Sequence, residues 1–177
     1  MWEHIGSPIR VLIGSVLGPK GMENERKHLL SYFEYKTPAM YHAKREVLQK
    51  LDRVQSKLLS DIGVDEVTAL IEFNLAPLSA RRDMAMLGVI HRTVLGKGPR
   101  HFKQHFVLDS DGRIVDPRRK FGGELIKRSA LGLVAIYNLL PAPYKKVGSV
   151  KDFQRILQDL LKERVSQGCL DFAHGSC

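Results

Sequence analysis

A chain of 177 residues is long enough for one domain with a real core, and its balance of 44% hydrophobic to 27% charged residues excludes the low-apolar composition of a disordered chain. Lys and Arg number 28 against 19 Asp and Glu, a net charge of +9 and a pI near 9.7, which points to a polyanionic partner. Two cysteines, Cys169 and Cys177, exclude a disulfide framework, and no apolar run approaches the ~20 residues of a membrane span. The chain is therefore expected to be soluble, unprocessed and intracellular, nuclear or cytoplasmic.

Ile9, Leu12, Ile13 and Val16 recur at helical spacing before Gly18-Pro19-Lys20-Gly21 stops them, which predicts an N-terminal helix and turn over residues 1–21. Glu23 to Lys36 is helical in composition, and Pro38 predicts a boundary by disfavouring the α region at Thr37. From Ala39 to Ile62 the positions Val47, Leu51, Val54 and Leu58 form one stripe on a helix, with Lys44, Arg45, Lys50, Arg53 and Lys57 on its other faces. Gly63 is placed to end it in a left-handed cap, and Asp65 to cap a short helix reaching about Phe73.

Pro77 suits a first helical turn, and Leu78 to Leu95 is apolar on most sides, so this segment is expected to be the central, buried helix. Asp109-Ser110-Asp111-Gly112 lies between Phe106-Val107-Leu108 and Arg113-Ile114-Val115, which predicts a short β-hairpin near residues 106–115. Glu124 to Leu140 reads as a helix closed by Pro141. Ser149, with Asp152 three residues on, starts a last helix with the stripe Val150, Phe153, Leu157, Leu160 and Val165.

Sites of known chemistry fail on spacing. The run from Gly14 to Gly21 lacks the four intervening residues and the Lys-Ser/Thr end of a phosphate loop. Asp109, Asp111 and Asp116 lack the closing Glu of a calcium loop, where Lys120 stands. His101 and His105, with Cys169, His174 and Cys177, have no Cys-x2-Cys pair to anchor zinc, and no Gly-x-Ser-x-Gly elbow or Asp-Asp pair occurs. No cofactor is expected.

The basic residues are concentrated. Between Lys97 and Arg128 stand nine cations (Lys97, Arg100, Lys103, Arg113, Arg118, Arg119, Lys120, Lys127 and Arg128) against Asp109, Asp111, Asp116 and Glu124. Phe102, Phe106 and Phe121 lie among them, so phosphate neutralisation with base stacking is a physical option.

Five segments together resemble the region downstream of the polymerase in LINE-type, non-LTR retrotransposon reverse transcriptases. The likeness runs from about Ser31 to Val165. Tyr32 to Ala39 is similar to that family's Leu-Glu-Tyr-x-x-Pro, and Leu51 to Leu59 to its Leu-x-x-Val-Gln-x-x-x-Leu helix. Leu75 to Arg82 is similar to Leu-x-Pro-Leu-x-x-Arg-Arg. Tyr137 to Pro141 resembles Trp-Asn-x-Leu-Pro with Tyr137 in place of tryptophan, and Ser149 to Leu157 resembles Ser-x-x-x-Phe-x-x-x-Leu. The resemblance implies that the polymerase, with its catalytic aspartates, would precede residue 1, so no catalytic residue carries over.

These readings give a mainly α, multi-helix domain over residues 22–177 with one short hairpin. The expected function is that of a non-catalytic accessory domain contacting RNA or DNA, with salt-sensitive, sequence-tolerant binding. Arg100, Lys103, Arg113, Arg118, Arg119, Lys120, Lys127 and Arg128 are the first candidates and Arg81 and Arg82 the second. The polymerase part of a retroelement protein is a further expected partner, and the alternative function is a helical scaffold or protein-interaction module, or an inert fragment of a reverse transcriptase polyprotein.

Overall fold

The computed structural model describes Thr37 and residues 40–115 and 129–168, all within one unit that begins at Thr37. The helices expected over residues 1–36, the segment 116–128 and the tail from Cys169 lie outside the described residues, as does the proposed boundary between residues 21 and 22. The described chain is mainly helical: α1 (Arg45–Asp61), α2 (Glu66–Ile71), α3 (Leu78–Val94), a 3-10 turn (Arg100–His105), a second 3-10 turn (Ala130–Leu133), α4 (Val134–Leu139), α5 (Ala142–Lys145) and α6 (Val150–Ser166).

Local chemistry sets most of these boundaries. Thr37 and Met40 are both helical, and the Tyr41 N–H donates to the Thr37 carbonyl at 2.8 Å, a bond that does not need the N–H Pro38 lacks. Among the described residues the helical break falls at Tyr41–Ala43, and Pro38 itself lies outside them. Gly63, at φ +71°, closes α1, and the Val64 N–H reaches back to the Leu59 carbonyl at 2.9 Å. Asp65 caps α2 by accepting from the Val67 and Thr68 amides at 3.0 and 2.9 Å and from the Thr68 hydroxyl at 2.6 Å. Those bonds to Thr68 hold its carboxyl below the usual range.

The central helix is α3, against which α1, α6 and the two 3-10 turns all pack. Phe153, near the start of α6, stacks on His91 near the end of α3, and Val165 near the end of α6 joins Leu70 and Ala76 beyond the start of α3. The two long helices therefore run antiparallel. The main core gathers Met86, Leu87, Ile90, Phe106, Ile114, Leu133, Val134, Tyr137, Phe153 and Leu157.

Three expectations are corrected. Residues 106–115 contain no strand, only an isolated antiparallel bridge between Leu108 and Ile114 around the tight turn at Asp109–Gly112. The 3-10 turn ends at Phe106, whose ψ of 56° is not extended, so pairing stops there. The free edge of Ile114 is taken by an amide instead: its N–H donates to Asn138 Oδ1 at 2.9 Å and its carbonyl accepts from Asn138 Nδ2 at 2.8 Å. Asn138 thus stands where a neighbouring strand would.

The single helix expected from Glu124 to Leu140 does not cross Ser129, which is extended (φ −123°, ψ 173°) and caps the 3-10 turn by accepting from the Leu131 amide. Nor is the stripe Val47, Leu51, Val54, Leu58 the buried face of α1. Gln55 and Leu59 are buried, while Val47 and Val54 are 48% and 52% exposed. Gln55 faces inward because its Nε2 donates to the Ala76 carbonyl at 3.1 Å, tying α1 to the loop before α3.

Candidate nucleic-acid interface

The sequence candidates separate once placed. Arg100 and Lys103 are exposed on the first 3-10 turn, and Arg113 is exposed beside the Asp109 turn. Arg118, Arg119, Lys120, Lys127 and Arg128 lie outside the described residues. Arg82 is not available to a phosphate: it is buried, and its Nη1 and Nη2 grip Asp52 Oδ1 and Oδ2 at 2.7 and 3.0 Å, joining α3 to α1. Arg81 is half-buried on the same turn. Beside this pair the Tyr41 hydroxyl donates to Asp83 Oδ1 at 2.6 Å. Burial pushes the Asp83 carboxyl up despite that bond, and burial and then Asp83 push the Tyr41 hydroxyl up strongly. The N-terminal part of α3 is a structural network.

The opposite end of α3 differs in charge. From Met84 to Leu108 the chain carries Arg92, Lys97, Arg100 and Lys103 and no acid. From Leu125 to Lys151 it again carries no acid, and the described part holds Lys145, Lys146 and Lys151. The fold brings these two stretches together. Lys97 Nζ donates to the Gly148 carbonyl at 3.1 Å, Arg92 Nε donates to the Lys97 carbonyl at 3.1 Å, and Lys145 Nζ donates to the Asn138 carbonyl at 3.3 Å. These bonds to neutral carbonyls fix the side chains without cancelling their charge. Elsewhere the balance is even: residues 40–83 hold seven cations and seven acids, and 152–168 hold three of each. Among the described residues the positive surplus sits at the end where α3 finishes and α6 starts; the acids beside it are Asp152, in the first turn of α6 and paired with Arg155 at 2.8 Å, and Asp109 and Asp111.

His91 anchors this end. It is fully buried, stacked on Phe153 with centroids 4.1 Å apart and planes 12° apart. Its Nε2 lies 2.7 Å from the Val147 carbonyl, which can only accept, so Nε2 bears the proton and Nδ1 accepts from the Tyr137 hydroxyl at 2.9 Å. Burial holds the imidazole below its ordinary pKa, partly offset by Val147, and pushes the Tyr137 hydroxyl up to about 12. A neutral histidine therefore pins the 145–148 loop, with its lysines, to α3.

No family model, curated protein or solved structure matches the chain. Among the described residues no group of three or more metal-binding side chains occurs, and no helix is long and apolar enough to cross a membrane. His101 and His105 do not share a face as an α-helix would arrange them, because four residues of 3-10 helix turn through about 480° and leave the two side chains about a third of a turn apart. Arg92, Lys145, Lys146 and Lys151 were not among the sequence candidates. Their signal was the absence of acids over two long stretches rather than any local crowding of cations.

Proposed function

We propose that this chain is a non-catalytic module that binds RNA or DNA by its phosphate backbone at the basic end where α3 finishes and α6 starts. The observation that carries the reading is the convergence there of two stretches without a single carboxylate. Seven cations face no compensating charge within those stretches, so condensed counterions on a nucleic acid would be displaced with little loss to internal ion pairs.

Descent from the post-polymerase region of a LINE-type reverse transcriptase is part of the proposal. It is supported by the way separate motifs interlock: Asp52 and Gln55 of one bond Arg82 and Ala76 of the next, and Tyr137 of the fourth lies against Phe153 of the fifth, centroids 6.0 Å apart. The motif residues hold the fold, and the charge is displayed on it. A second reading, a scaffold for other proteins, is favoured by the apolar seam left outward on α1.

The test is fluorescence anisotropy with duplex RNA, duplex DNA and single strands across a salt series. Arg100→Ser, Lys103→Ser and Lys146→Ser together are expected to weaken binding at least tenfold and to flatten the slope of log K against log salt by about 2 to 3. Lys44→Ser, Arg45→Ser and Arg164→Ser remove the same charge elsewhere and are expected to do far less. Equal losses in the two triple variants, or an unchanged slope in the first, overturn the reading.

A further inference from the structure

The outward face of α1 repeats with spacing four, three, four: Val47, Leu51, Val54, Leu58. The spacing alternates as the two inner positions of a heptad do. At about 100° per residue, the seam lies about 100° around the helix from the line of Leu48, Asp52, Gln55 and Leu59 that faces the core. The apolar surface of α1 thus extends beyond the line through which it meets α2 and α3. Val47 and Val54 are each about half exposed, and Leu51 and Leu58 are half-buried.

The edge of the seam away from the core carries Lys50, Arg53 and Lys57, all exposed. Glu46 and Asp61 stand at its two ends, and Asp52, the remaining carboxylate of the helix, faces inward onto Arg82. A second copy of α1 laid antiparallel on this seam would set Lys50 and Lys57 against their own counterparts. Like charges facing across such an edge oppose pairing.

We propose that the Val47–Leu58 seam of α1 docks an amphipathic helix of a partner protein, one whose apolar stripe is flanked by glutamates or aspartates. Valine and leucine side chains at successive turns supply the apolar anchors of a helix-in-groove contact. Lys50, Arg53 and Lys57 select acidic flanks over basic ones and steer the approach. The surface is separate from the basic end of α3, so one chain can hold a nucleic acid and a protein together.

The test uses the full chain and three synthetic helical peptides. The first has leucine at both seam positions and glutamate on the flanks, the second has the same seam with lysine flanks, and the third keeps the glutamates but replaces the seam with serine. Binding is read by anisotropy at low and moderate salt. The first peptide is expected to bind, and the other two at least tenfold more weakly. Val47→Ser with Val54→Ser is expected to weaken the first peptide about tenfold with unchanged circular dichroism, since both positions are half exposed. Lys50→Glu with Lys57→Glu is expected to reverse the preference toward the lysine-flanked peptide. Equal binding of the first and third peptides, or of the first and second, overturns the proposal. So does concentration-dependent self-association that Val54→Ser abolishes, which would make a second copy the occupant.

Discussion

Tyr137→Phe removes one oxygen atom from the fully buried contact with His91, and its cost follows from the hydrogen-bond inventory. The tyrosine hydroxyl is the donor to His91 Nδ1 at 2.9 Å, while Nε2 is already committed to Val147 at 2.7 Å. Losing a net hydrogen bond costs about 1 kcal/mol, and leaving a buried acceptor without a partner adds about 1 kcal/mol or more, so destabilisation of about 2 kcal/mol is expected in urea titrations followed by far-UV circular dichroism. The same site predicts a pH dependence. Because the folded-state pKa of His91 lies below 6.5, the unfolded chain binds a proton below about pH 6.5 that the folded chain refuses. Its contribution to stability is fully present above that pH and declines as pH falls through it, no more steeply than about 1.4 kcal/mol per pH unit for one proton. His91→Gln keeps a donor for the Val147 carbonyl and removes the titration. Its stability deficit relative to the unaltered chain is therefore expected to shrink between about pH 7.5 and about pH 5.5. Taking the difference cancels the exposed histidines and Asp83, whose burial raises its own pKa. A deficit that stays constant over that interval refutes the reasoning, as does a Tyr137→Phe chain within about 0.5 kcal/mol of the original.

Two further outcomes test how the basic end is held. Asn138→Leu removes both amide bonds to the Ile114 main chain, and is expected to cost about 2 to 3 kcal/mol and to raise hydrogen exchange at the Ile114 amide, with α1 and α2 unaffected. Two glycine substitutions should differ. A Cβ on Gly98 would stand 2.7 Å from the Thr93 Cα, which is backbone and cannot yield, whereas one on Gly88 would meet the mobile end of the Gln154 side chain at 2.6 Å. Gly98→Ala is expected to lower stability by about 2 kcal/mol and to weaken nucleic-acid binding by displacing Lys97, while Gly88→Ala loses less than half as much. Denaturant midpoints of the two variants decide the comparison.

Much of the helical order was legible because it rests on short-range chemistry. The Asp65 and Ser149 caps, the Gly63 stop and the apolar saturation of Leu78–Val94 each act within a few residues, and each stands where the sequence placed it. Periodicity failed on α1 for a definite reason. Two adjacent faces of that helix are apolar enough to bury, and the inward one was fixed by Gln55 and Asp52, polar residues whose partners Ala76 and Arg82 lie 21 and 30 residues away. Arg82 failed as a phosphate ligand on the same ground.

The candidate interface divides in the same way. Sequence alone determined that the chain is helical and basic and that the stretch after α3 is rich in cations, since composition and local pattern need no knowledge of neighbours. Only the tertiary structure decided which cations share a surface, because that required α6 to run back along α3 and the Val147 carbonyl to meet His91 across 56 residues of chain. A net charge belongs to the whole sequence, but the field a polyanion meets depends on distances between side chains, and those are set by packing.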